Sequence, residues 1–128
     1  MDEFSIVLMS MINSYKDLFV WQKSISLCEN VYLTTKTFPS SEIYGLISQI
    51  RRCSVSIPSN IAEGNARGSR LEYKKFLRIA IGSSAELETQ LIIAKKIGYL
   101  KESEYEKLTT QLDEIKRMLV SLIKSLTN

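Results

Sequence analysis

The chain has no histidine, two cysteines (Cys28 and Cys53), two prolines and one tryptophan in 128 residues. Without histidine, a di-iron bundle built on Glu-x-x-His pairs is excluded, and two cysteines fall short of the about four Cys or His ligands that a structural zinc site needs. The sequence predicts no metal and no cofactor. Each cysteine falls on an apolar helix face, so the pair reads as two small buried hydrophobes and not as a disulfide, a usage that fits a reducing cytoplasm. No apolar stretch reaches the about 18 to 20 residues of a membrane-spanning helix, because Lys and Glu interrupt every candidate. A soluble, cytoplasmic protein is expected. Near the start, Phe4 to Ile12 is apolar, but no basic residue precedes it and no small-residue cleavage site follows, which argues against a secretory signal. Residues 1–14 read as an N-terminal tail and 15–128 as the domain.

What is present is helical pattern. With 45% apolar and 24% charged residues, the chain can form one globular domain that buries roughly two thirds of its unfolded surface. Tyr105, Leu108, Leu112, Ile115, Leu119, Leu122 and Leu126 alternate spacings of three and four and define one apolar seam, preceded by a Ser103/Glu106 capping box. Leu18, Trp21, Ile25, Cys28 and Tyr32, with Leu27, Val31 and Phe38 widening the stripe, predict a first helix from about Asp17 to Thr37, ended by Phe38-Pro39. A second is expected from Ser41 and Glu42 through Leu46, Ile50, Cys53, Ile57 and Ile61 to a stop at Gly64. The third opens on a Ser69/Glu72 capping box and runs through Tyr73, Phe76, Ala80, Leu87 and Leu91 to a cap at Gly98. Connections of about three to six residues force consecutive helices to be antiparallel neighbours. The expected fold is all-α, an antiparallel up-down-up-down four-helix bundle. Gly82, Ser83, Ser84 and Ala85 place small residues in mid helix three, where tight packing would offset the roughly 1 kcal/mol that Gly82 costs against Ala.

Pro58 is the irregularity. Inside a helix it removes one donor and crowds the carbonyl four residues earlier, at a cost of about 3 kcal/mol unless the fold accommodates it. Asn60 and Glu63 share a face with the region, and Arg51 and Arg52 lie about two turns earlier. Pro58, Asn60 and Glu63 read as a structural polar cluster, with Asn60 bonding the carbonyls freed by Pro58 and Glu63 anchoring an arginine near the turn. A nucleic-acid or partner contact is the other reading of the same residues. A lone carboxylate without nucleophile, metal or base partner defines no reaction class, so no catalytic residue is predicted.

Several motifs together resemble the four-helix-bundle family of 23S rRNA intervening-sequence proteins. They are Asp17-Leu18 with Val20-Trp21-Gln22-Lys23, Phe38-Pro39 with Tyr44-Gly45-Leu46, Gln49-Ile50-Arg51-Arg52, and Ser56-Ile57-Pro58-Ser59-Asn60-Ile61-Ala62-Glu63-Gly64. The resemblance continues through Phe76-Leu77, Gly82-Ser83, Glu86-Leu87-Glu88-Thr89-Gln90-Leu91 and Gly98-Tyr99-Leu100, and so covers nearly all of residues 15–126. It implies a non-enzymatic protein whose relatives form homopentameric barrels, some encoded inside insertions of bacterial 23S rRNA genes. A related branch, the accessory variability determinant of diversity-generating retroelements, binds nucleic acid and works with a reverse transcriptase. RNA, DNA and such a protein are therefore the partners the resemblance implies.

The charge layout bears on that implication. Residues 51–78 carry seven bases (Arg51, Arg52, Arg67, Arg70, Lys74, Lys75 and Arg78) against Glu63 and Glu72, an excess of five in a chain whose net charge is +3. Arg70, Lys74 and Arg78 repeat every four residues, about 6 Å apart along one helix face, and Arg67 extends the row from the loop. Arg51, Arg52 and Lys75 rank as secondary contributors. A phosphate backbone can follow such a row through sequence-independent, salt-sensitive contacts. The competing reading pairs the same bases with Glu102, Glu104, Glu106, Asp113 and Glu114 across a subunit boundary, in a protein-interaction scaffold without a nucleic-acid role. No aromatic stacking platform is predicted among the bases.

The seam of the fourth helix generates a direct test of the fold. Leu112→Asp or Leu119→Asp places an unpaired charge in the core, and each variant is expected to unfold the domain. Loss of helical circular dichroism and of a cooperative melt would be the readout. A Leu119→Asp protein with unchanged helicity and melting would show the seam to be misplaced.

Overall fold

The structure, a computed structural model, describes Asp2 and residues 14–127. The predicted tail lies outside the described residues apart from Asp2 and Ser14. Ser14 Oγ accepts from the Lys16 N–H at 3.2 Å and caps a 3-10 turn at Tyr15–Asp17. Four helices follow: α1 (Phe19–Thr35), α2 (Leu46–Ala66), α3 (Arg70–Lys96) and α4 (Glu102–Leu126). Each packs against its chain neighbours and α1 closes the ring on α4.

Cross-helix partners run in opposite numerical order, which is the signature of antiparallel packing. Lys23 meets Glu114 and Asn30 meets Gln111 between α1 and α4. Likewise Cys28 meets Ser54 and Thr35 meets Arg51 between α1 and α2, and Glu88 meets Lys116 and Lys95 meets Glu102 between α3 and α4. The molecule is the all-α, up-down-up-down four-helix bundle that the periodicity predicts. Among the described residues no helix is long and apolar enough to cross a membrane.

The seam on α4 holds. Leu108, Leu112, Ile115, Leu119 and Leu126 are buried and face Leu27, Ile50, Ile57, Leu77 and Leu87 in one core. On α1 the buried row is Val20, Ser24, Leu27, Val31 and Thr35, so the core centres on Leu27 and Val31, which the sequence predicts only as widening the stripe. Trp21, Ile25 and Cys28 are only half-buried and Tyr32 is exposed. Two hydroxyls disguised the true row. Ser24 Oγ donates to the Val20 carbonyl at 2.6 Å and Thr35 Oγ1 to that of Val31 at 2.8 Å. A hydroxyl satisfied within its own helix can be buried without a stranded donor.

The helix boundaries also differ from expectation. A 3-10 turn at Ser40–Glu42 precedes α2, so α2 starts at Leu46 and residues 36–45 make a longer connection than predicted. Glu42 closes this loop: its Oε1 accepts from the Leu46 N–H at 3.4 Å and its Oε2 from the Tyr99 hydroxyl at 3.0 Å. Ser103 does not cap α4, which begins at Glu102 after Lys101 with no side-chain cap. Ser69 does cap α3, accepting from the Glu72 N–H at 3.1 Å. The chain turns at Gly68 (φ +78°) and Gly98 (φ +87°), left-handed conformations that glycine adopts without a Cβ penalty.

Gly64 is not the stop of α2. The helix passes through it to Ala66, and a Cβ built there would lie 2.7 Å from Phe76 Cβ on α3. Its function is close approach of two helices. Gly82 shows the reverse: it is exposed with nothing within 4 Å of a built Cβ, while Ser83 and Ser84 beside it are buried. The tight packing expected at Gly82 is therefore absent within the protomer.

Two predictions follow from this packing and from the buried thiols. Gly64→Ala is expected to destabilise by about 1–3 kcal/mol through overpacking, whereas Gly82→Ala should stabilise by up to about 1 kcal/mol through helix propensity. Denaturant titration of both variants reads the two signs, and a destabilised Gly82→Ala protein would mean that this face is covered by another copy. Burial, reinforced by Glu86, pushes the Cys53 thiol up to about 12 from 9.0, and burial also raises Cys28. As pH rises above about 9, the unfolded thiols ionise before the folded ones, so stability that is complete below pH 9 is lost progressively towards pH 12. Melting temperatures measured from pH 8 to 11 should fall, and fall less steeply in Cys53→Ala.

Candidate nucleic-acid interface

The α2–α3 connection is only residues 67–69, so the end of α2 and the first turns of α3 form one corner. Arg67 caps α2 there. Its guanidinium meets Glu63 Oε1 at 3.0 Å and lies 5.0 Å from the centre of the Phe76 ring. Lys75 Nζ lies 6.0 Å from the same ring. Phe76 thus does two jobs: its Cβ fills the notch at Gly64 and its ring holds two cations on the corner. The sequence placed Phe76 in the core alone. Its spacing carried that signal, whereas the approach of Arg67 depends on the turn.

Arg70 opens α3, and Lys74 and Arg78 follow it at one-turn intervals. Arg70 and Arg78 are exposed and Lys74 between them is half-buried. No carboxylate among the described residues forms an ion pair with Lys74, Lys75 or Arg78. The Arg67–Glu63 pair is half-exposed and contributes at most about 1 kcal/mol. Tyr73, on the inner side of this turn, has its phenol raised by burial, an effect partly offset by Asn65. Together these residues place five bases around the corner against Glu63 and Glu72.

Three acids of α4 have partners in the same chain. Glu102 meets Lys95 at 2.6 Å, Glu114 meets Lys23 at 2.9 Å, and Asp113 reaches Arg117 at 3.7 Å. The Glu102 contact, the first of several effects on Lys95, raises that amine further. Three of the five acids considered for pairing across a subunit boundary are therefore already engaged.

Arg51 and Arg52 do not join the corner. They lie near the start of α2, about 24 Å along the helix from Arg67. Arg51 Nε donates to Thr35 Oγ1 at 2.9 Å and its guanidinium covers the Tyr32 ring at 4.6 Å, tying α2 to α1.

The polar cluster around Pro58 is built differently from expectation. Pro58 leaves the Ser54 carbonyl without its helical donor, and Cys28 Sγ on α1 donates to that oxygen at 3.1 Å. Asn60 does not serve it. Its Nδ2 donates to the Ser56 carbonyl at 2.7 Å and to Ser56 Oγ at 3.0 Å, and Ser56 Oγ lies 2.8 Å from Ser83 Oγ on α3. Glu63 does anchor an arginine, Arg67. Asn60 and Glu63 are both drawn into contacts within the protomer, which is the structural reading of this cluster.

Nothing at the corner resembles a catalytic arrangement. No group of three or more Cys, Asp or Glu residues that could hold a metal occurs among the described residues. Cys53 stands beside Glu86, but its thiol is pushed up to about 12, the opposite of an activated nucleophile.

Comparison with known proteins agrees with this architecture. A crystal structure of a protein of unknown function from the S23 ribosomal protein family of Bacteroides thetaiotaomicron superposes with a TM-score of 0.74 at 27% identity, covering 82% of this chain and 98% of that one. No curated protein matches the chain. The family model for the 23S rRNA-intervening sequence protein matches residues 16–121, from the turn before α1 to the last turns of α4. The chain therefore belongs to the family of 23S rRNA-intervening sequence proteins.

Proposed function

We propose that this protein binds nucleic acid electrostatically, as a non-enzymatic adaptor, through the corner formed by Arg67, Arg70, Lys74, Lys75 and Arg78. The carrying observation is the asymmetry of charge pairing. Lys74, Lys75 and Arg78 form no ion pair with a described carboxylate, while Glu102, Asp113 and Glu114 on α4 are matched by Lys95, Arg117 and Lys23. Cations at about one-turn spacing attract a polyanion, and binding them releases the counterions condensed on its phosphates. Each phosphate neutralised on a duplex adds about 0.9 to the slope of log affinity against log salt, so a contact set of four or five bases per protomer makes binding strongly salt-dependent.

Assembly multiplies the effect. The resemblance that implies a homopentamer would repeat the corner around a ring and let one strand or duplex engage several copies. In this reading the oligomer holds structured RNA or DNA and presents it to a protein partner such as a reverse transcriptase, in the cytoplasm. The protein-interaction scaffold remains the second reading. Leu71, 75% exposed, and Ile79, 43% exposed, alternate with the bases on α3, and a surface mixing apolar and basic residues also suits a protein partner.

Fluorescence anisotropy with structured RNA and with duplex DNA across a salt series tests the proposal. Wild type is expected to bind at low salt and to weaken steeply as salt rises. The Arg70→Glu, Lys74→Glu, Arg78→Glu variant, with helicity and assembly unchanged, is expected to lose binding. Absence of binding by the intact wild type at low salt, or full binding by the triple variant, overturns the assignment and favours the scaffold.

A further inference from the structure

Arg51 and Arg52, remote from the α3 corner, line a pocket of their own. It measures about 320 Å³, opens to solvent, and has Tyr32, Ile43, Ile47 and Ser48 as its other walls. That volume is at the lower end for small-ligand sites, roughly 300–1,000 Å³. The α1–α2 connection builds it: the loop delivers Ile43, α1 delivers Tyr32, and the first turns of α2 deliver the rest.

Arg51 is held in place before any ligand arrives. Its Nε bonds Thr35 Oγ1 at 2.9 Å, one terminal nitrogen reaches the Tyr32 carbonyl at 3.5 Å, and the guanidinium lies 4.6 Å from the Tyr32 ring centre. All three partners are neutral. Two of the five guanidinium donors are engaged, and the remainder lie at a half-buried cation with no described carboxylate in an ion pair with it. Arg52 is exposed and also lacks such a pair. Glu42, the acid closest in sequence, is committed to the Leu46 N–H and the Tyr99 hydroxyl. Ser48 adds a hydroxyl with no hydrogen bond to a described residue, and Ile43 and Ile47 supply an apolar side.

Two guanidinium groups and a hydroxyl beside an apolar wall select an anion of high charge density carried on an apolar or planar body. A carboxylate offers one charge to two arginines. A phosphate monoester offers a charge of about −1.5 to −2 at pH 7 and three acceptor oxygens, which the fork geometry of arginine matches bidentately. We propose that this pocket binds a phosphate monoester, supplied either by a free nucleotide or by the terminal phosphate of a nucleic-acid strand, with the base against Ile43 and Ile47. The site is independent of the α3 corner and does not require the adaptor reading to hold.

Calorimetric titration of the full-length protein with AMP, adenosine, and a short oligonucleotide bearing either a 5′-phosphate or a 5′-hydroxyl tests the assignment. The strands are titrated into the Arg70→Glu, Lys74→Glu, Arg78→Glu protein, which removes backbone binding at the α3 corner, and the expected result is binding of AMP and of the phosphorylated strand, with adenosine and the hydroxyl strand at least about tenfold weaker, the loss of one charge-assisted contact. Arg52→Ala, at an exposed position that leaves the fold intact, should weaken AMP about tenfold, and Arg51→Lys should do so by removing the fork while keeping the charge. The Arg70→Glu, Lys74→Glu, Arg78→Glu protein should bind AMP as wild type does. A phosphorylated strand tighter than AMP identifies the strand end as the ligand, and equal or weaker binding identifies the free nucleotide. No binding of either phosphate compound, equal binding of adenosine, or AMP binding that survives Arg52→Ala but is lost in the α3 variant overturns the proposal.

Discussion

A proline in the middle of α2 strands the Ser54 carbonyl, and the bundle is arranged so that a thiol from the neighbouring helix reaches it. α2 is the strut of the molecule: it packs α1 on one side and α3 on the other. Were the Ser54 oxygen left without a donor in the interior, the penalty would be about 1–3 kcal/mol, a large fraction of the stability of a small domain. Cys28 removes that penalty and simultaneously fixes the height of α1 against α2. About three turns on, Gly64 fixes α3 against the same helix by admitting the Cβ of Phe76. The motif that looks like a run of small and polar residues is thus a set of spacing devices, one for each flanking helix.

From those two registrations the surface chemistry follows. Close approach at Gly64 brings Phe76 to the corner, where its ring gathers Arg67 and Lys75. Registration at Cys28 sets Thr35 and Tyr32 opposite Arg51, and the seven bases of residues 51–78 fall into two sites at opposite ends of α2. One is a convex row suited to a long polyanion. The other is a concave pocket suited to a compact one. A linear charge count over residues 51–78 merges them, because it registers excess charge without registering the length of helix between.

Legibility in the sequence tracks how local each interaction is. The seam of α4 was readable because its core positions are leucine and isoleucine throughout. The core row of α1 was readable only at Leu27 and Val31, because Ser24 and Thr35 share it and are satisfied within their own helix. Ser69 was recognisable as a cap from its neighbours, whereas Ser103 carried the same local signature and lies two residues past the N-cap position of α4. The role of Glu63 was legible, since Arg67 is four residues away on the same helix. That of Asn60 was not, since its partner network runs through Ser56 to Ser83 on another helix.

Periodicity, turn residues and charge are properties of the chain taken a few residues at a time, and they determined the helix count, the antiparallel order, most of the core and the existence of a basic face. Tertiary structure alone decided which donor serves the carbonyl freed by Pro58, which glycine is a helix contact and which is open, and which bases stand together. Those outcomes depend on atoms brought from one helix to another at 3 to 5 Å. A rotation of one helix by a single residue position changes all of them while leaving the hydrophobic pattern almost untouched.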